Sequence, residues 1–141
     1  MSSYKWSLSH LAGPSIPNLL NVPGGIEVKS SGLALAHEVR WARSRRDRSR
    51  GLLGSVLSTG EALVIVPAKQ VHTFGMVHAI DVVFCDKEWI VRHVVRSMAP
   101  RRVTRIVSSA RFVIELPEGT VPREVAPGEV MEVRDQPSSD L

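Results

Sequence analysis

Two acidic residues stand inside otherwise apolar segments, where a carboxylate is costly to bury without a partner. Asp81 follows Ile80, and Glu115 lies between Ile114 and Leu116. Two such acids brought together would permit general acid/base chemistry of the glycosidase kind. The structural alternative for Asp81 is a carboxylate that accepts backbone amides and fixes a turn. For Glu115 it is an exposed position on the polar face of its strand. We favour the structural alternatives and keep both residues as candidate site acids.

Three histidines near these acids suggest a different chemistry. His72, His78 and His93 could join Asp81 as ligands, because imidazole and carboxylate groups bind several divalent ions. The separation of six residues between His72 and His78 matches no familiar ligand pattern, however. We therefore predict no metal site and no bound cofactor, and interpret these side chains as ordinary surface or core histidines.

The chain has one cysteine, Cys85, so it forms no internal disulfide and no four-cysteine zinc site. A nucleophilic thiol needs a base and a positive environment. Cys85 instead follows Phe84 within an apolar segment and precedes Asp86, whose charge disfavours the thiolate. We interpret it as a small buried hydrophobic residue. The sequence contains no Gly-x-Ser-x-Gly elbow, phosphate loop or dinucleotide fingerprint.

Arginine supplies most of the basic character of the chain, which has a net charge of +4 and a pI near 9.8. The candidate basic surface comprises Arg45, Arg46, Arg48 and Arg101. Such clusters can contact phosphate groups of nucleic acid. The sequence lacks the interleaved aromatic residues on which single strands usually stack. We therefore expect a solvated basic surface rather than a nucleic-acid partner.

The elements that would position these residues are mostly strands. Residues 33–41 alternate between apolar and polar positions, which indicates a strand. A helix remains an alternative there, because Ala, Leu, Glu and Arg are good helix formers. The sequence Ser44–Asp47 resembles a capping box and predicts one short helix over Arg45–Arg50. Further β-rich segments occupy residues 62–66, 71–76, 80–85, 89–95, 103–107, 111–116 and 129–133.

About seven short strands separated by turn signals predict a mostly β fold, a small barrel or sandwich with one short helix. A length of 141 residues fits one domain. We place this domain at residues 26–133, between a flexible arm (1–25) and a disordered tail (134–141). No apolar run approaches the roughly 20 residues of a membrane span, and the N-terminus does not resemble a secretory signal. A soluble, cytoplasmic protein is therefore expected.

Four blocks of sequence carry a resemblance to a known family. They are Arg48–Gly54, Val71–Asp86 (VHTFGMVHAIDVVFCD), Val113–Gly119 and Pro127–Val130. In this order they resemble the widespread prokaryotic family catalogued as domain of unknown function number one hundred and ninety-two. The resemblance covers roughly residues 33–133 and implies a compact β barrel or sandwich of jelly-roll type. It implies no established activity.

The leading hypothesis is a small ligand-binding or accessory module. Its candidate binding residues are His72, Thr73, Met76, Asp81 and Glu115. The partner would be a small polar ligand. One alternative is a hydrolase that acts on a polar ligand through the two acids, which a deep pocket holding both would favour. The other is an arginine-rich accessory protein of nucleic acid, which a flat basic face would favour.

Overall fold

The computed structural model describes residues 21–43 and 57–135, and all regular structure in these two ranges is β. The strands are β1 (Asn21–Val28), β2 (Ala34–Ala42), β3 (Glu61–Ile65), β4 (Ile80–Cys85), β5 (Val91–Met98), β6 (Phe112–Pro117) and β7 (Met131–Asp135). They form one sheet in the order β5-β4-β6-β3-β2-β1-β7. The mostly β class is therefore confirmed. The predicted helix over Arg45–Arg50 lies outside the described residues.

The sequence located several strands well. β4 has the bounds that the sequence predicted, and the alternating segment around Leu35 forms β2, so its helical alternative is wrong. The predicted strands at 71–76 and 103–107 differ, because they share only an isolated bridge between His72 and Val103. β1 begins at Asn21, within the residues assigned to the arm.

The topology departs from the expected jelly roll. Five of the six strand pairs are antiparallel, but β2 and β3 pair in parallel. A jelly roll is built from antiparallel strands in two sheets, whereas this is one mixed sheet whose edge strands are β5 and β7. A single bridge joins Ile90 to Val130, which flank these edges. The barrel and jelly-roll predictions are therefore not confirmed.

The adjacent strands β4, β6 and β3 are buried on both faces. On one face, which we call the first cluster, lie Ala62, Val64, Val83, Cys85, Phe112, Ile114 and Leu116. On the other, the second cluster, lie Leu63, Ile65, Ile80, Val82, Phe84 and Val113. A strand that is covered on both faces has a continuous apolar sequence rather than an alternating one. This explains why β4 and β6 are nearly apolar throughout.

Two irregular connections cover the second cluster. Residues 66–79 join β3 to β4 and residues 99–111 join β5 to β6; together we call them the outer ribbon. The Thr104 amide donates to the Val71 carbonyl at 2.9 Å, so the two connections run side by side. Val71 and Val107 are buried and belong to the second cluster. The ribbon therefore has an inner side packed on the sheet and an outer side facing solvent.

Candidate functional site

The carboxylate of Asp81 is fully buried and is used by the protein itself. Its Oδ1 accepts a hydrogen bond from the Ser97 amide at 2.8 Å, and its Oδ2 accepts one from the Val121 amide at 2.9 Å. Ser97 has a φ of 52°, at an irregularity in the pairing of β5 with β4. Asp81 thus ties the edge strand β5 to the loop after β6, as its structural interpretation expected.

Thr73 has a comparable role within the outer ribbon. This fully buried residue donates its hydroxyl to the Ala99 carbonyl at 2.6 Å and accepts at the same oxygen from the Arg102 amide at 2.9 Å. Its backbone amide also donates to the Arg102 carbonyl at 2.9 Å. Thr73 therefore holds the turn 99–102 against the segment 71–76.

We expect Thr73→Val to destabilise the protein, because it leaves a carbonyl and an amide of this turn without their partner. Both bonds are partly buried, and loss of a typical hydrogen bond lowers the free energy of unfolding by about 0.5–1.5 kcal/mol. Thr73→Ser keeps the hydroxyl and is the matched control. Urea unfolding followed by circular dichroism measures both variants. Equal midpoints for Thr73→Val and Thr73→Ser would contradict this role of the hydroxyl.

His72 and Met76 lie on either side of Thr73 but face different surroundings. His72 is exposed, and its ring lies 5.6 Å from that of Phe74 between centroids. Its Nδ1 accepts a hydrogen bond from the Phe74 amide at 3.3 Å. Met76 is half-buried and packs against the second cluster. Of these two, only Met76 lies on the inner side of the ribbon.

Glu115 is the unusual residue of the sheet. It is buried at 3% exposure, so the expectation of an exposed glutamate is wrong. Its cross-strand neighbours are Leu63 on β3 and Val82 on β4, both in the second cluster. Its Oε1 has no hydrogen-bond partner within residues 21–43 and 57–135. Burial raises the pKa of Glu115 to about 8, so the carboxyl is mostly protonated at neutral pH.

The two candidate acids lie on opposite faces of the sheet. Asp81 pairs with Leu116 and shares its face with the first cluster, where it binds the amide of Val121. Glu115 pairs with Val82 and faces the second cluster. Because successive side chains of a strand point to opposite faces, the sheet itself separates the carboxyls. The structure does not bring together the pair that a glycosidase mechanism needs.

The remaining candidates are also dispersed. His93 packs on Phe84 at 5.6 Å between ring centroids, and burial, followed by the charge of Arg105, lowers its pKa. His78 is exposed. Among the residues that the structure describes, no group of three His, Cys, Asp or Glu side chains is arranged to hold a metal ion.

Cys85 lies at the end of β4 and belongs to the first cluster. Its side chain is fully buried. Burial, and then the nearby charge of Asp86, raises the pKa of its thiol. These surroundings suit a small core residue and disfavour the thiolate that a nucleophile needs.

The basic surface is described only in part. Arg101 is exposed with a φ of 63°, whereas Arg45, Arg46 and Arg48 lie outside the described residues.

Arg96 was not predicted as a functional residue, yet its guanidinium donates to the carbonyls of Val121, Pro122 and Val125. It therefore anchors the same loop that Asp81 binds. The residues around Arg96 in the sequence gave no signal of this, because the accepting groups are backbone carbonyls more than twenty residues away.

These features define a class of protein. It is a β domain whose single mixed sheet carries an irregular ribbon on one face, and the same face holds a buried carboxyl oxygen that has no partner within the described ranges. The chain belongs to the DUF192 family, described as "Uncharacterized ACR", whose model matches residues 26–133. The resemblance inferred from the four sequence blocks is thereby confirmed. No curated protein matches the chain.

Two solved structures share the fold. One is a candidate transcription regulator from Sinorhizobium meliloti 1021, with a TM-score of 0.65 and 19% identity, covering 83% of this chain and 98% of its own. The other is a protein of unknown function from Novosphingobium aromaticivorans DSM 12444, with a TM-score of 0.65 and 17% identity, covering 93% of this chain and 94% of its own. At these identities the likeness is one of fold. The family and these neighbours bring no established activity to the chain.

The structure also bears on membrane spanning. None of the described residues forms a helix long and apolar enough to cross a membrane.

Proposed function

We propose that this chain is a ligand-binding module in which the carboxyl of Glu115 binds the polar group of a small molecule. The observation that carries the proposal is the buried Oε1 atom that lacks a partner in the described residues. An unsatisfied buried polar group costs about 1–3 kcal/mol, so a group kept in that state requires an explanation. A ligand that supplies the missing hydrogen bond is one such explanation.

The chemistry of the site favours a ligand with a cationic nitrogen group. Desolvation alone raises the pKa of Glu115 to about 8. A cation that binds the carboxyl favours its ionised form and lowers this pKa again. A guanidinium or amidinium group is the best match, because it can donate two parallel hydrogen bonds to one carboxylate.

The surroundings of Glu115 favour an apolar body attached to that cation. Leu63 and Val82 flank the carboxyl across the sheet, and Met76 packs on the same cluster from the ribbon. Ligand sites are commonly lined by such apolar groups with few polar ones. Thr73 and Asp81, whose oxygens already hold backbone groups, support the site by fixing the ribbon and the edge strand.

Calorimetric titration with butylguanidinium tests the proposal. At pH 7 the free carboxyl is mostly protonated and the bound carboxyl is ionised, so binding should release close to one proton. That release is measured from the dependence of the heat on the ionisation enthalpy of the buffer. At pH 9 the carboxyl is already ionised, and binding should release almost none.

Two comparisons make this titration specific to the site. Glu115→Gln should weaken binding by roughly ten- to a hundredfold, the loss expected for a hydrogen bond to a charged group. Butanol, which has a similar body and no cation, should not bind measurably. Binding that is equal in Glu115→Gln, or that releases no proton at pH 7, would contradict the cationic ligand.

We further propose that the sheet curls toward a barrel. Besides the bridge between Ile90 and Val130, the Met131 amide donates to the Trp89 carbonyl at 2.9 Å. The Val91 amide donates to the Glu129 carbonyl at 2.8 Å. These bonds bring the edge at β5 toward the edge at β7 and support the closed form that the family resemblance implied.

A further inference from the structure

The outer side of the ribbon exposes large apolar side chains. Phe74 is 53% exposed, Val77 79%, Val103 56% and Ile106 62%. Of the five large hydrophobic residues exposed in the described ranges, these four lie on the outer ribbon. Clusters of exposed apolar groups mark interaction surfaces more often than isolated ones do.

The ribbon presents these side chains from a fixed backbone. His72 bridges to Val103, and Thr73 holds the neighbouring turn through its hydroxyl. Val71 and Val107 pack inward on the second cluster. Buried residues (Val71, Thr73, Thr104 and Val107) thus recur among the exposed ones in both segments. The ribbon is therefore packed on the sheet while its outer side stays exposed.

The same surface is strongly basic. Residues 66–79 and 99–111 contain no Asp or Glu and five cationic residues: Lys69, Arg101, Arg102, Arg105 and Arg111. All five are exposed. The other residues of 21–43 and 57–135 hold 8 Lys and Arg against 12 Asp and Glu, a net charge of −4. The excess positive charge of the described structure therefore lies on the outer ribbon.

These arginines also lack the partners that arginines have elsewhere in the sheet. Arg92 pairs with Asp86 at 2.8 Å, and Arg134 pairs with Glu27 at 2.8 Å. Arg101, Arg102 and Arg105 form no ion pair with any residue of the described ranges. Their charges are available to an external anion.

We propose that the outer ribbon docks on the surface of a bilayer that contains anionic lipids. The arginines face the lipid headgroups, and Val77, Val103 and Ile106 enter the boundary between headgroups and acyl chains. Basic residues are attracted to anionic leaflets, and apolar side chains buried in the interface add to that binding. This surface is distinct from the Glu115 carboxyl, which lies beneath the ribbon.

The apolar residues favour a bilayer over nucleic acid. Single strands bind through aromatic platforms as well as charge, and the ribbon offers one exposed phenylalanine against three exposed aliphatic residues. Aliphatic groups gain little from nucleotide bases but bury well among acyl chains. An acidic protein would also offer negative charges to these arginines, and the experiment below distinguishes such a partner from a bilayer.

Vesicle flotation of the full chain tests this inference. The vesicles are pure phosphatidylcholine, or phosphatidylcholine with about one third phosphatidylglycerol. We expect binding to the anionic vesicles only, falling as salt is raised. A Phe74→Trp variant should show a blue-shifted emission with those vesicles and quenching by brominated lipid, relative to the parent protein.

Matched variants distinguish binding by the ribbon from a general effect of net charge. The triple variant Arg101→Ser/Arg102→Ser/Arg105→Ser should weaken binding about a hundredfold, because each charge lost near the membrane surface lowers the affinity by about a factor of five. The control Lys29→Ser/Lys87→Ser/Arg123→Ser removes the same charge from exposed positions elsewhere and should change binding less than fivefold. Val77→Ser/Ile106→Ser, which keeps every charge, should weaken binding about tenfold.

Three results would overturn the inference. Equal losses in both triple variants would reduce the effect to net charge. An emission spectrum of the vesicle-bound Phe74→Trp variant that shows no shift relative to the parent would exclude insertion. Binding to a single-stranded oligonucleotide, or to polyglutamate, that is tighter than vesicle binding at the same salt would assign the surface to nucleic acid or to an acidic protein instead.

Discussion

Asp81→Ala should lower the free energy of unfolding by about 3 kcal/mol or more, because each of the two lost hydrogen bonds to a charged group contributes about 1.5–3 kcal/mol. The partly buried amide of Ser97 and the buried amide of Val121 would lose their acceptor. The alanine would also leave β5 untied from the loop after β6. Urea unfolding monitored by circular dichroism measures the change.

Two variants control this result. Glu118→Ala removes an exposed acid from the same part of the chain and should change stability by less than about 0.5 kcal/mol. Asp81→Asn retains one acceptor but turns an NH₂ group toward the second amide, so it should recover only part of the loss. An Asp81→Ala protein as stable as the parent would show that the carboxylate does not hold these amides in solution.

Glu115→Gln should stabilise the protein at neutral pH and remove a pH dependence. In the unfolded chain the carboxyl has its ordinary pKa of 4.5, and in the folded protein burial raises this pKa to about 8. Between these values the folded state holds one more proton than the unfolded state. The free energy of unfolding therefore falls by about 1.4 kcal/mol for each pH unit in that window.

The difference between parent and variant isolates this effect from other titrating groups. Below pH 4.5 the carboxyl is protonated in both states, and the two proteins should be similarly stable. At pH 7 the glutamine variant should be more stable by about 3 kcal/mol, and above about pH 8 the difference should level off. A difference that stays constant between about pH 5 and pH 8 would mean that Glu115 is ionised in the folded protein, contrary to this prediction.

The strand β4 was predictable because its own sequence specifies a buried strand. Ile80–Cys85 is apolar and β-rich, and it forms β4 with those bounds. The structural role of Asp81 was also foreseen, since an acid on such a strand must have a fixed partner. The identity of that partner was not predictable, because Ser97 and Val121 contribute only backbone amides.

The burial of Glu115 was missed for a physical reason. Alternation along β6 assigned Phe112 and Ile114 to a core and left the other face to solvent. That face is covered by the outer ribbon, which belongs to distant parts of the chain. Val113, a buried apolar residue on the same face as Glu115, was the available signal.

The irregular segments were the least predictable. The ribbon residues 71–76 and 103–107 have β-rich sequences, yet they form only one bridge, between His72 and Val103. Bonds to the hydroxyls of Thr73 and Thr104 supplement the few backbone bonds between the two segments. The first five residues of β1, Asn21–Gly25, were assigned to the arm because residues 1–25 are rich in Ser, Pro, Asn and Gly. The pairing of β1 with both β2 and β7 stabilises an extended conformation despite those residues.

A carbon-13 titration of the glutamate carboxyls by nuclear magnetic resonance tests most directly whether Glu115 is a buried, protonated ligand-binding group. We predict that one resonance, absent from Glu115→Gln, titrates with a pKa near 8 in the free protein. Saturating butylguanidinium should lower the pKa of that resonance by at least about one unit, since the bound cation favours the carboxylate. A Glu115 resonance that titrates near its ordinary value of 4.5 in the free protein, or that does not respond to the cation, would contradict this role of Glu115.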